Sequence, residues 1–310
     1  MNRRRRIHIP VAMMLLALAV SPVAAGDGGA DYLLTLGGRL SLLTGDTRFS
    51  VAAGSGTPNV LSELRWRGLD TVVPEVNAEF VWKRLVVLGA IGAGAVFDGV
   101  LIDDDFAGND RTDRVSHTRS SVVGSLVYVD LAVGVRLVTW GERATPRAGY
   151  VDAFIGHQYW REDYDAFGAT GTVSISNDVR AISETFTFNS LRIGARAHVP
   201  VYRGLGVKLA GAILPWSHVE LEDEHPLRPD LRHDPSFSAH ADGGFGYQLD
   251  GGLVYNINKH FSAETGFRYF RLESGRGTET AHTVAGDVKQ RLNEIVIERY
   301  GPYVGVSYRF

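Results

Sequence analysis

The sequence predicts an all-β fold, a ten-stranded antiparallel transmembrane β-barrel, and three observations carry that prediction. The N-terminus reads as an export signal. Period-two alternation recurs along the rest of the chain, and turn signals cut that remainder into ten segments long enough to cross a bilayer.

The first segment combines a basic start, Arg3 to Arg6, an apolar run from Val11 to Val20, and Val23-Ala24-Ala25, with small residues where a signal peptidase needs them. The expected organisation is therefore a signal peptide over 1–25 and one barrel over 26–310. The apolar run is shorter than the roughly 20 residues a membrane helix needs, and nothing downstream reaches that length. Without the signal, the 32 Lys and Arg fall to 28 against 35 acids, a net charge of −7. That balance argues against a nucleic-acid partner. With no cysteine, neither a disulfide framework nor a thiolate metal site is possible.

Alternation is clearest at the C-terminus. Tyr300, Pro302, Val304, Val306, Tyr308 and Phe310 share one face, and Arg299, Gly301, Gly305, Ser307 and Arg309 share the other. One face suits lipid and the other a polar lumen. A last strand that ends in Phe310, with aromatics at alternate positions before it, resembles the assembly signal of outer-membrane barrels, which implies outer-membrane lipid as the surrounding partner.

Turn signals place strands near 33–52, 59–83, 85–102, 116–140, 147–164, 181–199, 205–223, 241–257, 260–274 and 290–310. The connections alternate in character. Residues 82–84, 141–146, 202–204 and 256–260 are short and polar, as periplasmic turns are. Residues 53–58, 103–115, 165–180, 224–240 and 275–289 are longer and rich in Gly, Asp and His, and are expected to face outside. Gly89, Gly92 and Gly94 sit inside a strand, where small residues ease barrel packing.

Two of the outer connections open with acids at strand ends: Asp103-Asp104-Asp105-Phe106 and Glu222-Asp223-Glu224-His225. In an extended chain residues i and i+2 point the same way, so Asp103 pairs with Asp105 and Asp223 with His225. In a ten-stranded barrel the two segments lie roughly opposite each other. An acid pair facing an Asp-oriented imidazole can bind and activate water; the bland alternative is a pair of acidic surface loops. No metal site is expected, because His225, His233, Asp234 and His240 match no ligand spacing. Asp103 to Arg114 also lacks the oxygen ligands of an EF-hand at Ala107 and Arg114.

At these residues the chain resembles the omptins, a family of ten-stranded outer-membrane endopeptidases. Asp103-Asp104-Asp105-Phe106 is similar to the family's Asp-x-Asp-aromatic after the third strand, and Asp223-Glu224-His225 to its Asp-Glu-His before the fourth outer loop. Thr44-Gly45-Asp46-Thr47, Ser62-Glu63-Leu64-Arg65-Trp66 and Gly156-His157-Gln158 extend the likeness in order over nearly the whole mature chain. The resemblance implies an aspartyl-type endopeptidase acting on extracellular peptides or proteins. Asp103 and His225 would hold the attacking water, His225 would be the base, Asp223 would orient the imidazole, and Asp105 would support the water or the tetrahedral intermediate.

The chain departs from the family in the pocket for the residue before the cut, where Phe49 and Leu221 stand in place of two acids. A cation buried there would lose its water without a carboxylate, so a more apolar pocket is expected. Neighbouring Glu220 and Glu222 would restore acidity if the register were one residue off. The family also requires lipopolysaccharide. Arg161 matches one lipid-binding arginine, Thr187 stands where a second would be, and an ordinary interfacial arginine is an equal reading. The other expected classes are a non-catalytic barrel serving as adhesin, porin-like channel or structural protein, and a lipid-modifying enzyme with Ser and His near the outer leaflet.

Overall fold

A sheet surrounded by hydrocarbon cannot leave its edge N–H and C=O groups unpaired, so a chain with this alternation must close its sheet into a ring. The computed structural model describes residues 32–141 and 148–310. The expected signal peptide, and the expected turn at 141–146 except Gly141, lie outside the described residues. In chain order the strands are β1 (Tyr32–Ala52), β2 (Ser62–Trp82), β3 (Leu85–Phe106), β4 (Arg114–Trp140), β5 (Gly149–Gly171), β6 (Ile175–Tyr202), β7 (Leu205–Glu224), β8 (Phe237–Asp242), β9 (Gly244–Asn256), β10 (Phe261–Ser274), β11 (Gly277–Thr283) and β12 (Gly286–Arg309).

All pairings are antiparallel, and β12 closes the ring on β1 from Thr35 opposite Arg309 to Ala52 opposite Arg291. The twelve segments fill ten places around the ring. β8 continues the line of β9 along β7, and β11 continues the line of β10 along β12. The break between β8 and β9 falls at Gly243, whose φ of 77° suits glycine, and its carbonyl accepts from the N–H of Gly275 at 2.5 Å. The expected ten-stranded barrel is therefore the fold.

The strands run further at one end than the hydropathy suggests. β3 reaches Phe106, β5 reaches Gly171, β6 starts at Ile175, and β11 lies wholly inside the stretch expected as a loop. The expected connections at 103–115, 165–180 and 275–289 shrink to 107–113, 172–174 and, between β11 and β12, 284–285. The physical reason is that a wall standing clear of lipid can be polar on its outer face, so the ladder continues without apolar alternation to mark it. At the other end the turns are tight, with Lys83-Arg84 and Arg203-Gly204 as two-residue hairpins.

The exterior carries an apolar belt, including Leu85, Val87, Ile91 and Phe97 on β3 and Tyr300, Val304 and Val306 on β12. Tyr247, Tyr269 and Tyr300 stack side by side across three strands, with ring centres 5.5 and 6.4 Å apart, as in the aromatic girdles of membrane barrels. Inside the belt the lumen is an ion-pair lattice. Arg268 meets Glu75 at 2.8 Å and Asp250 at 3.1 Å, Arg39 meets Glu264 at 2.5 Å, and Arg136 and Arg196 meet Asp152 at 2.8 and 2.9 Å. Above it Tyr128, Trp160 and Phe270, then Trp66, Tyr164 and Phe186, fill the bore. Gly92 makes room for this layer, since a Cβ there would lie 2.4 Å from the Tyr128 ring.

Within this layer Arg299 and Glu162, both without solvent exposure, form a 2.9 Å ion pair that also takes in Thr47 and Tyr164. Glu162→Ala strands the Arg299 charge in a dry interior and is expected to destabilise the barrel by about 3–5 kcal/mol. Urea unfolding of protein refolded into detergent micelles measures it; a loss below about 1 kcal/mol would show that this pair does not hold the layer.

Candidate active site

Whether Asp103 points into the lumen depends on a bulge. In the lower part of β3 the even-numbered residues Val86, Gly92 and Val96 are buried inside. Phe97 and Asp98 are then both exposed, and the pairing register with β2 and β4 slips between Val96 and Val100. Beyond the slip the parity is reversed, so Gly99, Leu101, Asp103 and Asp105 face in. β7 does the same. Ala212 and Leu214 face in, Pro215 and Trp216 are both exposed, and Ser217, Val219, Leu221 and Asp223 then face in. Asp104 turns outward, where Arg65 at 2.5 Å, His117 at 2.7 Å and Arg114 at 3.4 Å cover it to 1% exposure.

Asp103 and Asp105 lie within β3, so they project from the barrel wall instead of opening a loop. Asp223 ends the inward row of β7, and His225 follows the strand directly. The imidazole Nε2 sits 2.9 Å from Asp223 Oδ2. The His225 backbone N–H donates to Ser236 Oγ at 3.0 Å, the Ser236 N–H donates to the Asp223 carbonyl at 2.7 Å, and the Phe237 ring meets the imidazole edge-on at 5.2 Å. The 225–236 loop thus folds back on the strand end and fixes the ring.

The charges of the two segments act on each other across the lumen. Burial works against a charged His225, but Asp223 and Asp103 outweigh it and hold the imidazole above its ordinary range. Burial first, then repulsion from Asp105, pushes the Asp103 carboxyl up to about 7, with His225 pulling the other way. The four residues singled out from the sequence therefore form one electrostatic cluster.

Two further acids join it that the sequence reading missed. Glu184 on β6 stands directly opposite Asp223 in the ladder, is 1% exposed and accepts a hydrogen bond from the Trp66 indole. Glu279 on β11 is 2% exposed and is pushed up to about 8, by burial first and then by the Asp223 charge. The available signal for Glu184 was an acid on the otherwise apolar row Ile182, Phe186 and Phe188. Glu279 had none, because its strand lies where a loop was expected.

Phe49 and Leu221 are buried in the same core that holds Trp66 and Leu64. Phe49 lies opposite Leu64, which lies opposite Asp103, and Leu221 precedes Asp223 on the inward row. Glu220 and Glu222 are exposed on the outer face, so neither restores acidity to the lumen. Arg161 is on the exterior, opposite Thr187 in the ladder. Asp163 holds its guanidinium through three hydrogen bonds of 2.7–3.1 Å.

No protein-family model matches the chain, and no curated protein matches its sequence. Among solved structures, the outer membrane protease OmpT from Escherichia coli has the same fold. Its TM-score is 0.68 at 14% identity, covering 90% of this chain and 97% of that one. The outer membrane protein OprG from Pseudomonas aeruginosa matches at a TM-score of 0.39 and 11% identity, covering 91% of this chain and 96% of its own. The translocator domain of the autotransporter NalP from Neisseria meningitidis matches at 0.35 and 12%, covering 92% and 90%. At such identities the likeness to OmpT establishes the fold, which is that of an outer-membrane β-barrel.

Proposed function

We propose that the chain is an omptin-like endopeptidase of the bacterial outer membrane, with the acid-rich rim facing outside and extracellular peptides or proteins as substrate. The observation that carries this reading is the 2.9 Å contact between His225 and Asp223 in one electrostatic cluster with Asp103. A water held between Asp103 and His225 attacks the peptide carbonyl while His225 accepts its proton. Asp223 keeps the imidazole oriented and stabilises its charged form, and Asp105 supports the water or the tetrahedral intermediate. His225 then returns the proton to the departing amine, with no covalent acyl-enzyme.

Phe49 and Leu221, both packed into the core, put no acid at the pocket for the residue before the cut, so basic residues there are not required. Lipopolysaccharide is the proposed accessory lipid. Arg161 is its phosphate contact, and a phosphate there has to share the guanidinium with Asp163. The rival reading is a non-catalytic adhesin or structural barrel, favoured by the same two apolar residues packed into the core. A porin-like role is disfavoured by the aromatic layer that fills the bore.

Protein refolded with lipopolysaccharide is expected to cleave a peptide library, and His225→Ala to lower kcat/KM by roughly 10²–10⁴-fold, the usual worth of a general base. Equal rates would leave the rival. Cleavage confined to sites after Arg or Lys would overturn the apolar pocket. The base must be neutral to act, and Asp223 and Asp103 favour its charged form. Activity should therefore rise with pH along a limb centred above the ordinary histidine value of about 6.5; a limb centred below it would contradict His225 as the base.

A further inference from the structure

We propose that Glu184 is a positioning residue for His225, a neutral carboxylic acid whose Oε1 proton is donated to Oδ1 of Asp223. The proton sharing is a property of the rim itself; its effect on hydrolysis rests on the function proposed above. The Trp66 indole N–H goes to Glu184 Oε2, and the His225 ring contacts Asp223 Oδ2. Each carboxyl group then has one oxygen left, Glu184 Oε1 and Asp223 Oδ1, and both are buried with no hydrogen-bond partner among the described residues. The two residues are direct neighbours in the β6–β7 ladder and both face in.

Two buried acceptors side by side are unfavourable, and two buried negative charges are more so. One proton between them removes both penalties, as in carboxyl pairs that cannot both ionise. The proton belongs on Glu184, because Asp223 is already stabilised as an anion by the imidazole. The surroundings agree. The charged groups that act most on Glu184 are Asp223 from β7, Glu279 from β11 and Asp103 from β3, all acids. Those acting on His225 are Asp223, Asp103 and the loop residue Arg228, while Asp105 acts on Asp103. Burial first, then Asp223, holds the Glu184 carboxyl well above the usual range. At 1% exposure Glu184 offers no surface to a substrate cation, which would be the other way to satisfy these oxygens.

The chain Trp66–Glu184–Asp223–His225 therefore runs from the packed aromatic layer to the base. The donated proton tempers the basicity of Asp223 and keeps the His225 charge from being held too tightly. The test is an NMR titration of His225 in the full barrel in micelles, with the signal assigned by His225→Ala. Glu184→Gln replaces one neutral donor by another and should leave the titration where it is in the wild type. Glu184→Leu removes the donor and should move it upward by about one pH unit. A downward move in Glu184→Gln would show that Glu184 is ionised and would overturn the proposal, as would an unchanged titration in Glu184→Leu.

If Glu184→Leu fails to fold, infrared spectra decide. Glu184→Gln should lose one protonated-carboxyl C=O band at neutral pH, and an unaltered band pattern would again overturn the proposal. None of these measurements needs a substrate, so they stand apart from the hydrolysis assay. Where hydrolysis is present, the acid limb of kcat/KM should move with the His225 titration.

Discussion

Every feature of this protein depends on the pairing of β12 with β1. A sheet with an apolar outer face has no stable edge in lipid, so its hydrogen bonds must be completed around a ring. Closure has a second effect, because it places segments far apart in sequence on opposite walls of one narrow bore. Arg299 near the C-terminus meets Glu162 in mid-chain, and β3 faces the end of β7, only because the ring is shut.

The interior resolves the problem that closure creates, which is how to fill a polar bore. In the lower lumen charges are matched by charges, with Arg268, Arg39, Arg136 and Arg196 shared among Glu75, Asp250, Glu264 and Asp152. Higher up, aromatic rings fill the bore around the dry Arg299–Glu162 pair. Ion pairs buried in this way are costly to break one partner at a time, so they specify the arrangement more than they stabilise it. The aromatic layer also gives the rim a low-dielectric floor, and burial there is the first cause that raises the carboxyls of Asp103, Glu184 and Glu279 above their ordinary range.

The rim differs from the lower lumen in charge balance. Asp223 and Asp103 act on one imidazole, Asp105, Glu184 and Glu279 interact with those two acids, and Trp66 supplies a neutral donor to Glu184. Excess negative charge in a semi-dry site must be relieved by protons, by a shared water or by substrate. A water-activating base needs the same conditions. The arrangement thus joins an electrostatic imbalance to the proposed chemistry, and the loop that returns through Ser236 holds the His225 backbone against the end of β7.

Alternation and turn chemistry alone determined the class, the ten barrel positions and most strand limits near the belt, because a lipid exterior imposes hydropathy with a period of two. The same signal faded above the belt, where water tolerates either face, so the ends of β3 and β5, the start of β6 and all of β11 became visible only as hydrogen-bonded ladder. Parity counted upward from Val96 would turn Asp103 out and Asp104 in. The bulge at Phe97 and Asp98 reverses this, and a bulge is a property of three paired strands and not of one. Asp103, Asp105, Asp223 and His225 were legible as acids and an imidazole spaced two apart at strand ends. Only the tertiary structure decided that they face one another and that Glu184 and Glu279 stand among them, since contact across a closed bore is set by register around the whole ring.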